Sequence, residues 1–240
     1  MRDSSESRPF SEAFSIRKGD AAAIVGCGGK TGLMMRLAEE NRRFRTLIAT
    51  TTRIFPPSPG QIDRELEQVE TPVLPGATLA HGGLDPQGKL MPPKEPETLR
   101  EWFDYSFWEC DGSRTLPLKG WAEHEPAVPD FASLTIGVCA LWPLGRPADK
   151  EIVHRPDLFC RMTGCLPGEP VRLAHIAAMV SSPEGMFRGS RGRRVLFVNQ
   201  TESEQGWELA RQLCELLPSD LGAAVFAGSL YRGEIAELPG

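Results

Sequence analysis

A glycine-rich segment that ends in a lysine and a threonine is the part of this sequence best suited to bind phosphate. It comprises Gly26, Gly28, Gly29, Lys30 and Thr31, between an apolar run and an amphipathic helical pattern. Glycines let the backbone curl so that its N–H groups point inward, and a following helix adds its positive end and its unpaired first amides. A lysine can then hold a phosphate oxygen, and a threonine hydroxyl can bind Mg²⁺. We therefore predict a phosphate-binding loop at these residues.

The spacing within this loop departs from two standard patterns. With Gly29 as its second glycine, the P-loop pattern G-x-x-x-x-G-K-[ST] requires glycine at position 24, where the chain has Ile24. The dinucleotide pattern G-x-G-x-x-G, started at Gly26, requires glycine in place of Thr31, and no acidic residue stands among the threonines that end the next apolar run. A Rossmann dehydrogenase is therefore disfavoured. An ordinary strand-to-helix turn is the alternative that the glycines alone allow.

Two carboxylates lie at the end of another apolar run, which covers residues 105–111. Alternation along a strand places Glu109 and Asp111 on the same side of it. In P-loop proteins an acidic residue after a buried strand holds Mg²⁺ or its water shell. We therefore predict that Thr31 and Asp111 bind Mg²⁺ and that Glu109 is the candidate base. The alternative is a strand that ends in ordinary turn-forming residues.

The next segment, residues 112–129, is too rich in proline and glycine for a helix and carries the cations Arg114 and Lys119. Long connections without regular structure are usually lids or binding loops. We predict a functional loop whose two cations face the phosphates of a ligand. A solvated surface loop is the alternative.

A third polar group follows the apolar run at residues 195–199. Asn199, Gln200 and Glu202 are reminiscent of the N-K-x-D element with which GTP-binding proteins read guanine. Gln200 replaces the lysine and Glu202 stands where the aspartate would be, so the choice between ATP and GTP stays open. We predict that Asn199 and Gln200 contact the nucleotide.

Strand and helix patterns alternate along the chain and must position these residues. Predicted strands cover residues 21–25, 45–52, 105–111, 134–141, 195–199 and 223–229, and predicted helices cover residues 30–43, 97–103, 155–163, 170–179 and 203–217. This alternation predicts an α/β fold with a mostly parallel sheet flanked by helices, similar to P-loop NTPases.

One stretch interrupts this alternation. Residues 71–97 are rich in proline and glycine, with an apolar piece at residues 77–80, and predict a hairpin or an excursion. We predict a flexible N-terminus over residues 1–14 and a single nucleotide-binding domain over residues 15–240. Residues 55–97 and 112–130 are candidates for a small lobe of that domain.

The composition argues against several classes of protein. A chain of 240 residues with 40% hydrophobic content can bury a core, and a net charge of −5 without long basic runs argues against nucleic acid as a partner. No apolar run reaches the roughly 20 residues that span a bilayer, and the polar first residues lack the apolar core of a signal peptide. We expect a cytoplasmic protein that does not contact membranes.

The six cysteines are scattered, and even the close pair Cys160 and Cys165 lacks C-x-x-C spacing, which favours buried thiols.

Five segments of the chain resemble one known family. They are VGCGGKTGLMMRLAEE, ATTTRIFPP, ECDGSRTLPLKGWAEHEPAVP, VHRPDLF and VLFVNQTE, which together lie within residues 21–202. They resemble the YqeC family, which is described as selenium-dependent hydroxylase accessory proteins. The chain departs from the family pattern at Gly32, Arg53 and Glu202.

The resemblance implies a P-loop-like nucleotide-binding protein that assists the maturation of molybdenum hydroxylases. Carried over by residue, it marks as site residues Gly28, Gly29, Lys30, Thr31, Glu109, Asp111, Arg114, Lys119 and Glu125. We therefore predict a Mg²⁺-dependent ATP- or GTP-binding accessory protein that hydrolyses or transfers phosphate, with a molybdenum hydroxylase or its cofactor as partner. In this hypothesis Lys30 stabilises charge on the β and γ phosphates, and Arg114 or Lys119 stabilises the charge that is transferred.

Two alternatives remain open. The chain can be a non-hydrolysing carrier or chaperone that binds a phosphorylated cofactor through the same loop. It can also be a small-molecule kinase, although the sequence shows no second pocket for the molecule that would be phosphorylated.

Overall fold

The structure is a computed structural model, which describes residues 8–67 and 72–239. Its strands, in chain order, are β1 (Ala21–Gly26), β2 (Arg45–Thr50), β3 (Arg64–Leu66), β4 (Gly76–Ala80), β5 (Tyr105–Glu109), β6 (Leu118–Lys119), β7 (Leu134–Ala140), β8 (Val153–His154), β9 (Arg193–Asn199), β10 (Ala223–Ser229) and β11 (Glu234–Glu237).

Nine of these strands form one sheet in the order β11-β10-β9-β7-β1-β5-β2-β4-β3. Every pairing in it is parallel except that of β10 with β11. β6 and β8 pair in parallel in a small second sheet. β1 and β7, at the centre of the main sheet, are buried along their whole length, as expected for strands covered on both faces. The predicted α/β fold with a mostly parallel sheet is confirmed.

Helices cover both faces of the main sheet. They are α1 (Phe10–Ala13), α2 (Lys30–Glu40), α3 (Pro96–Glu101), α4 (Pro156–Thr163), α5 (Leu173–Ser181) and α6 (Glu204–Leu216). Leu33 of α2 packs in one core cluster with Phe107, whereas Ile176 of α5 packs in the other with Trp108. Phe107 and Trp108 are neighbours in β5, so the alternation predicted for that strand is confirmed. Among the described residues, no helix has the length and apolar character that a membrane span requires.

The N-terminal segment differs from its prediction where it is described. Residues 1–7 of the predicted flexible stretch lie outside the described residues, but residues 10–13 form α1. The rings of Phe10 and Phe14 are buried and contact Phe197 of β9 edge-on, with centroids 5.5 and 5.9 Å away. Burial of two aromatic rings outweighs the cost of ordering this short, polar segment.

The proline- and glycine-rich stretch also differs in part from its prediction. The apolar piece at residues 77–80 belongs to β4, which pairs in parallel with β2 and β3 and is therefore an inner strand. Beyond it, antiparallel bridges join Ile54 and Leu84 to Leu90, and these residues form the excursion. β3 has only three residues, too few to show a periodic pattern, so the sequence gives no sign of the strand that encloses β4.

Candidate phosphate-binding site

The loop between β1 and α2 lies at the edge of the sheet where the parallel strands end. β1 has β5 on one side and β7 on the other, and β9 lies next to β7. Because all these strands run in the same direction, the residues that follow them meet at this loop. The predicted loop, the carboxylates after β5 and the polar residues after β9 are thereby brought together.

The glycines of the loop are required by both conformation and space. Gly28 and Gly29 have φ values of +86° and +136°. A Cβ atom on Gly28 would lie 2.6 Å from the Cβ of Ala140, and one on Gly29 would lie 2.4 Å from Nδ2 of Asn199. The loop is therefore pressed against the ends of β7 and β9, where a side chain does not fit.

A row of backbone amides at the start of α2 has no acceptor. Within the described part of the chain, the amides of residues 28–32 donate no hydrogen bond, and the first bonded one is that of Leu33, which donates to the Gly29 carbonyl at 2.9 Å. Gly29 is the N-cap residue of α2, and no side chain caps the helix. Thr31 and Gly32 are exposed to solvent. An anion approaching from solvent can therefore meet several N–H donors at the positive end of a helix.

Lys30 lies beneath this row of amides. Its Nζ donates to the Gly26 carbonyl at 2.8 Å and lies 3.2 Å from Oδ1 of Asp111 and 3.7 Å from Oε1 of Glu109. Burial lowers the pKa of Lys30, but the two carboxylates raise it further, so the pKa lies above its ordinary value. The ammonium group therefore stays charged under the loop.

Asp111 is completely buried below the loop. Its Oδ2 accepts hydrogen bonds from the Gly26 amide at 3.0 Å and from Nε1 of Trp121 at 2.7 Å, and lies 3.4 Å from Nζ of Lys119. These contacts hold the first residue of the loop. They also place Asp111 away from the exposed side, where the unpaired amides lie.

Glu109 is the carboxylate that stands next to Thr31. The Thr31 hydroxyl donates to Oε2 of Glu109 at 2.8 Å. Burial raises the pKa of Glu109 by more than Lys30 and Thr31 lower it, so the net pKa is above the ordinary value.

Lys119 is buried, whereas the sequence predicts that it faces the phosphates of a ligand. It is 0% exposed, and its Nζ donates to the Gly112 carbonyl at 2.7 Å and to Oε2 of Glu125 at 3.0 Å. Glu125 is also paired with Arg155, whose NH1 lies 2.5 Å from Oε2. Burial raises the pKa of Glu125, but Arg155 and Lys119 lower it further, and the net pKa is below the ordinary value. Lys119 is buried because two carboxylates, Asp111 and Glu125, surround it.

Asn199, at the end of β9, contacts the loop directly. Nδ2 of Asn199 donates to the Gly28 carbonyl at 2.9 Å, and its Oδ1 accepts from the Leu230 amide at 3.2 Å. Asn199 therefore holds the loop to the end of β10. Gln200 beside it is exposed, and Arg114 is exposed on the segment after β5.

Sequence reasoning missed three side chains that support the site. Trp121 contacts Asp111 as described above, Arg155 contacts Glu125, and the guanidinium of Arg188 donates to the backbone carbonyls of Ala122 and Glu125. A buried indole needs a hydrogen-bond acceptor, so Trp121 in a segment with carboxylates was a usable signal. Arg155 and Arg188 lie far along the chain, and no spacing connects them to the loop.

The cysteines near the loop are buried thiols, as predicted. Burial raises the pKa of Cys27 and of Cys110 to about 12. Both therefore remain protonated at neutral pH, which excludes them as thiolate nucleophiles.

Comparison with known proteins assigns the chain to a family. A family model described as YqeC protein matches residues 22–157. The chain belongs to the YqeC family. A relative from Escherichia coli strain K12, described as "Uncharacterized protein YqeC", is 33% identical over 236 residues, which cover 90% of this chain and 88% of the relative. No solved structure matches the chain. The YqeC match includes the loop, Glu109, Asp111, Lys119 and Glu125, so the family shares the segment that builds this site.

His154, also within the YqeC match, makes stability depend on pH. Burial and the positive charges of Arg155, Lys119 and Arg114 lower the pKa of His154 from 6.5 to about 4. Because the folded pKa is below the unfolded one, the unfolded chain takes up the proton first as pH falls. This residue therefore costs stability progressively from pH 6.5 down to about 4.

We expect His154→Gln to weaken this loss of stability, as measured by urea unfolding at about pH 7, 5.5 and 4.5. His124→Gln, at an exposed position, is the matched control and is expected to keep the wild-type pH dependence. Equal pH dependence in wild type and His154→Gln would show that the environment of His154 does not disfavour its charged form.

Proposed function

We propose that this chain binds a nucleoside triphosphate and Mg²⁺ at the loop between β1 and α2. The observation that carries the proposal is the row of unpaired amides at residues 28–32, next to the buried and charged Lys30. The triphosphate is strongly anionic, and these donors, the helix dipole and the ammonium group all favour negative charge at the same place. The phosphates would reach the loop from the side on which Thr31 and Gly32 are exposed.

The side chains at this position suit Mg²⁺. The Thr31 hydroxyl and the Glu109 carboxylate lie 2.8 Å apart, and oxygen atoms of this kind are the ligands that Mg²⁺ prefers. The sequence favoured Asp111 for this role. Since Oδ2 of Asp111 is shared among Gly26, Trp121 and Lys119, we instead assign the ion to Thr31 and Glu109 and assign to Asp111 the positioning of the loop. The ion, when bound, would neutralise charge on the phosphates.

The chain's own groups have separate tasks in this proposal. The loop amides and Lys30 stabilise negative charge that develops on phosphate oxygens. Glu109 holds the ion and is the candidate base, and burial raises its pKa above the ordinary value. Arg114 is exposed and is the candidate cation that approaches the phosphates from outside.

The nucleobase is not specified by these residues. Both amide atoms of Asn199 are occupied by contacts with Gly28 and Leu230, which leaves Gln200 as the exposed polar residue beside them. The proposal therefore includes ATP and GTP, and experiments need both.

Thermal unfolding with and without ligand tests nucleotide binding. At millimolar ATP or GTP with Mg²⁺, we expect the melting temperature of the wild type to rise by several degrees, since a ligand at about 100 times its Kd stabilises by about 2.7 kcal/mol. Lys30→Met is expected to lose this rise. The matched control is Lys150→Met, at an exposed position, which is expected to keep it.

The rise is compared with the melting temperature of the same variant without ligand, so that a change in basal stability does not affect the result. No rise in the wild type with either nucleotide would contradict the proposal.

Release of phosphate distinguishes an enzyme from a carrier that does not hydrolyse nucleotide. The family resemblance supports an accessory role in the maturation of a molybdenum hydroxylase, and we propose such an enzyme as the partner. Phosphate release is therefore measured with the protein alone and with a candidate hydroxylase. Turnover that is lost in Glu109→Gln supports catalysis, whereas binding without turnover in both conditions supports the carrier.

A further inference from the structure

Side chains with metal-ligating atoms converge between α4 and α5, apart from the phosphate-binding loop. One ligand atom each of Cys165, Glu169 and His175 lies within 4.8 Å of the others. Cys165 and His175 are 2% and 3% exposed, whereas the side chain of Glu169 is 24% exposed and opens the cluster to solvent. Cys160, in the last turn of α4, carries a second thiol near that of Cys165.

The backbone already orients two of these side chains. Oε2 of Glu169 accepts a hydrogen bond from the Leu166 amide at 2.9 Å, and Nδ1 of His175 accepts one from the Arg172 amide at 3.2 Å. The carboxylate of Glu169 is therefore held in place before any ion binds. Nε2 of His175 becomes able to bind an ion when the imidazole proton moves to Nδ1 and the bond from the Arg172 amide breaks.

A cationic group already lies between the carboxylate and the imidazole. NH2 of Arg172 is 2.7 Å from Oε1 of Glu169 and 3.1 Å from Nε2 of His175. A neutral imidazole has a single lone pair, so His175 cannot accept from both this group and the Arg172 amide. The Arg172 side chain is also 64% exposed. The position thus favours a positive charge, but the guanidinium that occupies it is mostly exposed and has the Glu169 carboxylate as its acceptor.

We propose that Cys165, Glu169 and His175 bind one Zn²⁺ ion, with the neighbouring Cys160 thiol as the candidate fourth ligand. Thiolate and imidazole are the ligands that Zn²⁺ prefers, and neither suits Mg²⁺ or Ca²⁺. Ligand atoms around tetrahedral zinc are about 3.3–3.8 Å apart, so the ligand atoms of Cys165, Glu169 and His175, which lie within 4.8 Å of one another, need to move together by about 1 Å. On binding, the ion replaces the Arg172 guanidinium, and each thiol releases its proton to solvent. The ion links the end of α4 to the start of α5, which makes it a structural site.

Zinc titration of the reduced, chelator-treated full-length protein tests this site, with a chromophoric chelator as competitor. We expect one equivalent of Zn²⁺, and on substitution with Co²⁺ we expect the absorption band of thiolate coordination. Cys165→Ser and the half-buried Cys160→Ser are each expected to weaken binding by about 100-fold or more. Cys214→Ser, which alters a thiol of α6 outside the cluster, is the matched control and is expected to keep full binding.

Arg172→Ala separates a metal site from a purely structural contact network. If the guanidinium competes with the ion, this variant is expected to bind Zn²⁺ about tenfold more tightly than the wild type. Unchanged or weaker binding in Arg172→Ala would contradict that competition. The proposal is overturned if the wild type binds no Zn²⁺ after reduction, or if Cys165→Ser and Cys214→Ser bind it equally well.

Discussion

Asp111→Ala is expected to lower the free energy of unfolding by about 3–5 kcal/mol, because it leaves buried positive charge without its partner. Lys30 and Lys119 both face this carboxylate and are 5% and 0% exposed. The substitution also removes the acceptor of the Gly26 amide and of the Trp121 indole. Urea unfolding at equilibrium, monitored by circular dichroism, measures the change.

Asp130→Ala is the matched control for this prediction. Asp130 is also paired with an arginine, Arg191, at 2.7 Å, but its side chain is 84% exposed. Exposed ion pairs contribute little because water screens them, so we expect almost no change. A similar loss in both variants would mean that burial of Asp111 and its lysines does not determine the effect.

Gly26→Ala is expected to destabilise the fold by about 2–5 kcal/mol, as the sum of backbone strain and crowding. Gly26 has a φ of +98°, and a Cβ atom there would lie 2.3 Å from the carbonyl oxygen of Val138 in β7. The backbone of β7 cannot move without disturbing its pairing with β1. The same unfolding measurement in urea tests this expectation.

Gly88→Ala separates the two contributions. Gly88 also has a positive φ, +74°, but no atom lies within 4 Å of an added Cβ. We therefore expect Gly88→Ala to lower the free energy of unfolding by the backbone-strain contribution alone, about 1–2 kcal/mol. If Gly26→Ala costs no more than Gly88→Ala, the close approach of the loop to β7 is not what requires glycine.

The predictions for Asp111→Ala and Gly26→Ala both concern the buried residues that support the loop, not its solvent-exposed side. Gly26 connects them, because its amide donates to Asp111 and its carbonyl accepts from Lys30. The loop between β1 and α2 thus rests on buried charged groups and on the end of β7. A variant that weakens this support is expected to lose the orientation of the amides at residues 28–32 together with stability.

Much of the site could be predicted from local sequence. Glycines before a lysine and an amphipathic helix allow the positive φ values that a curled, anion-binding loop needs, so the sequence predicts the loop at residues 26–31. Alternation in β5 placed Glu109 and Asp111 on one side of the strand, and the structure brings both near Lys30. Such patterns depend on residues close together in the chain, and therefore they can be read without the fold.

The roles within the site could not be predicted in the same way. Lys119 was expected to face a ligand and is buried, because Asp111 and Glu125 surround it in the folded chain. Likewise, the spacing of Cys160 and Cys165 shows no metal motif, and only the meeting of α4 with α5 brings His175 to them.

The sequence by itself determined the alternation of strands and helices, the position of the glycine-rich loop and the membership of the YqeC family, because these depend on local periodicity and on runs of particular residues. Only the tertiary structure decided which charges are buried, which carboxylate stands beside Thr31, and which thiols, imidazole and carboxylate converge. The physical reason is that the partners of a charged or metal-ligating side chain come from distant segments, and only the packing of the whole chain brings those segments together.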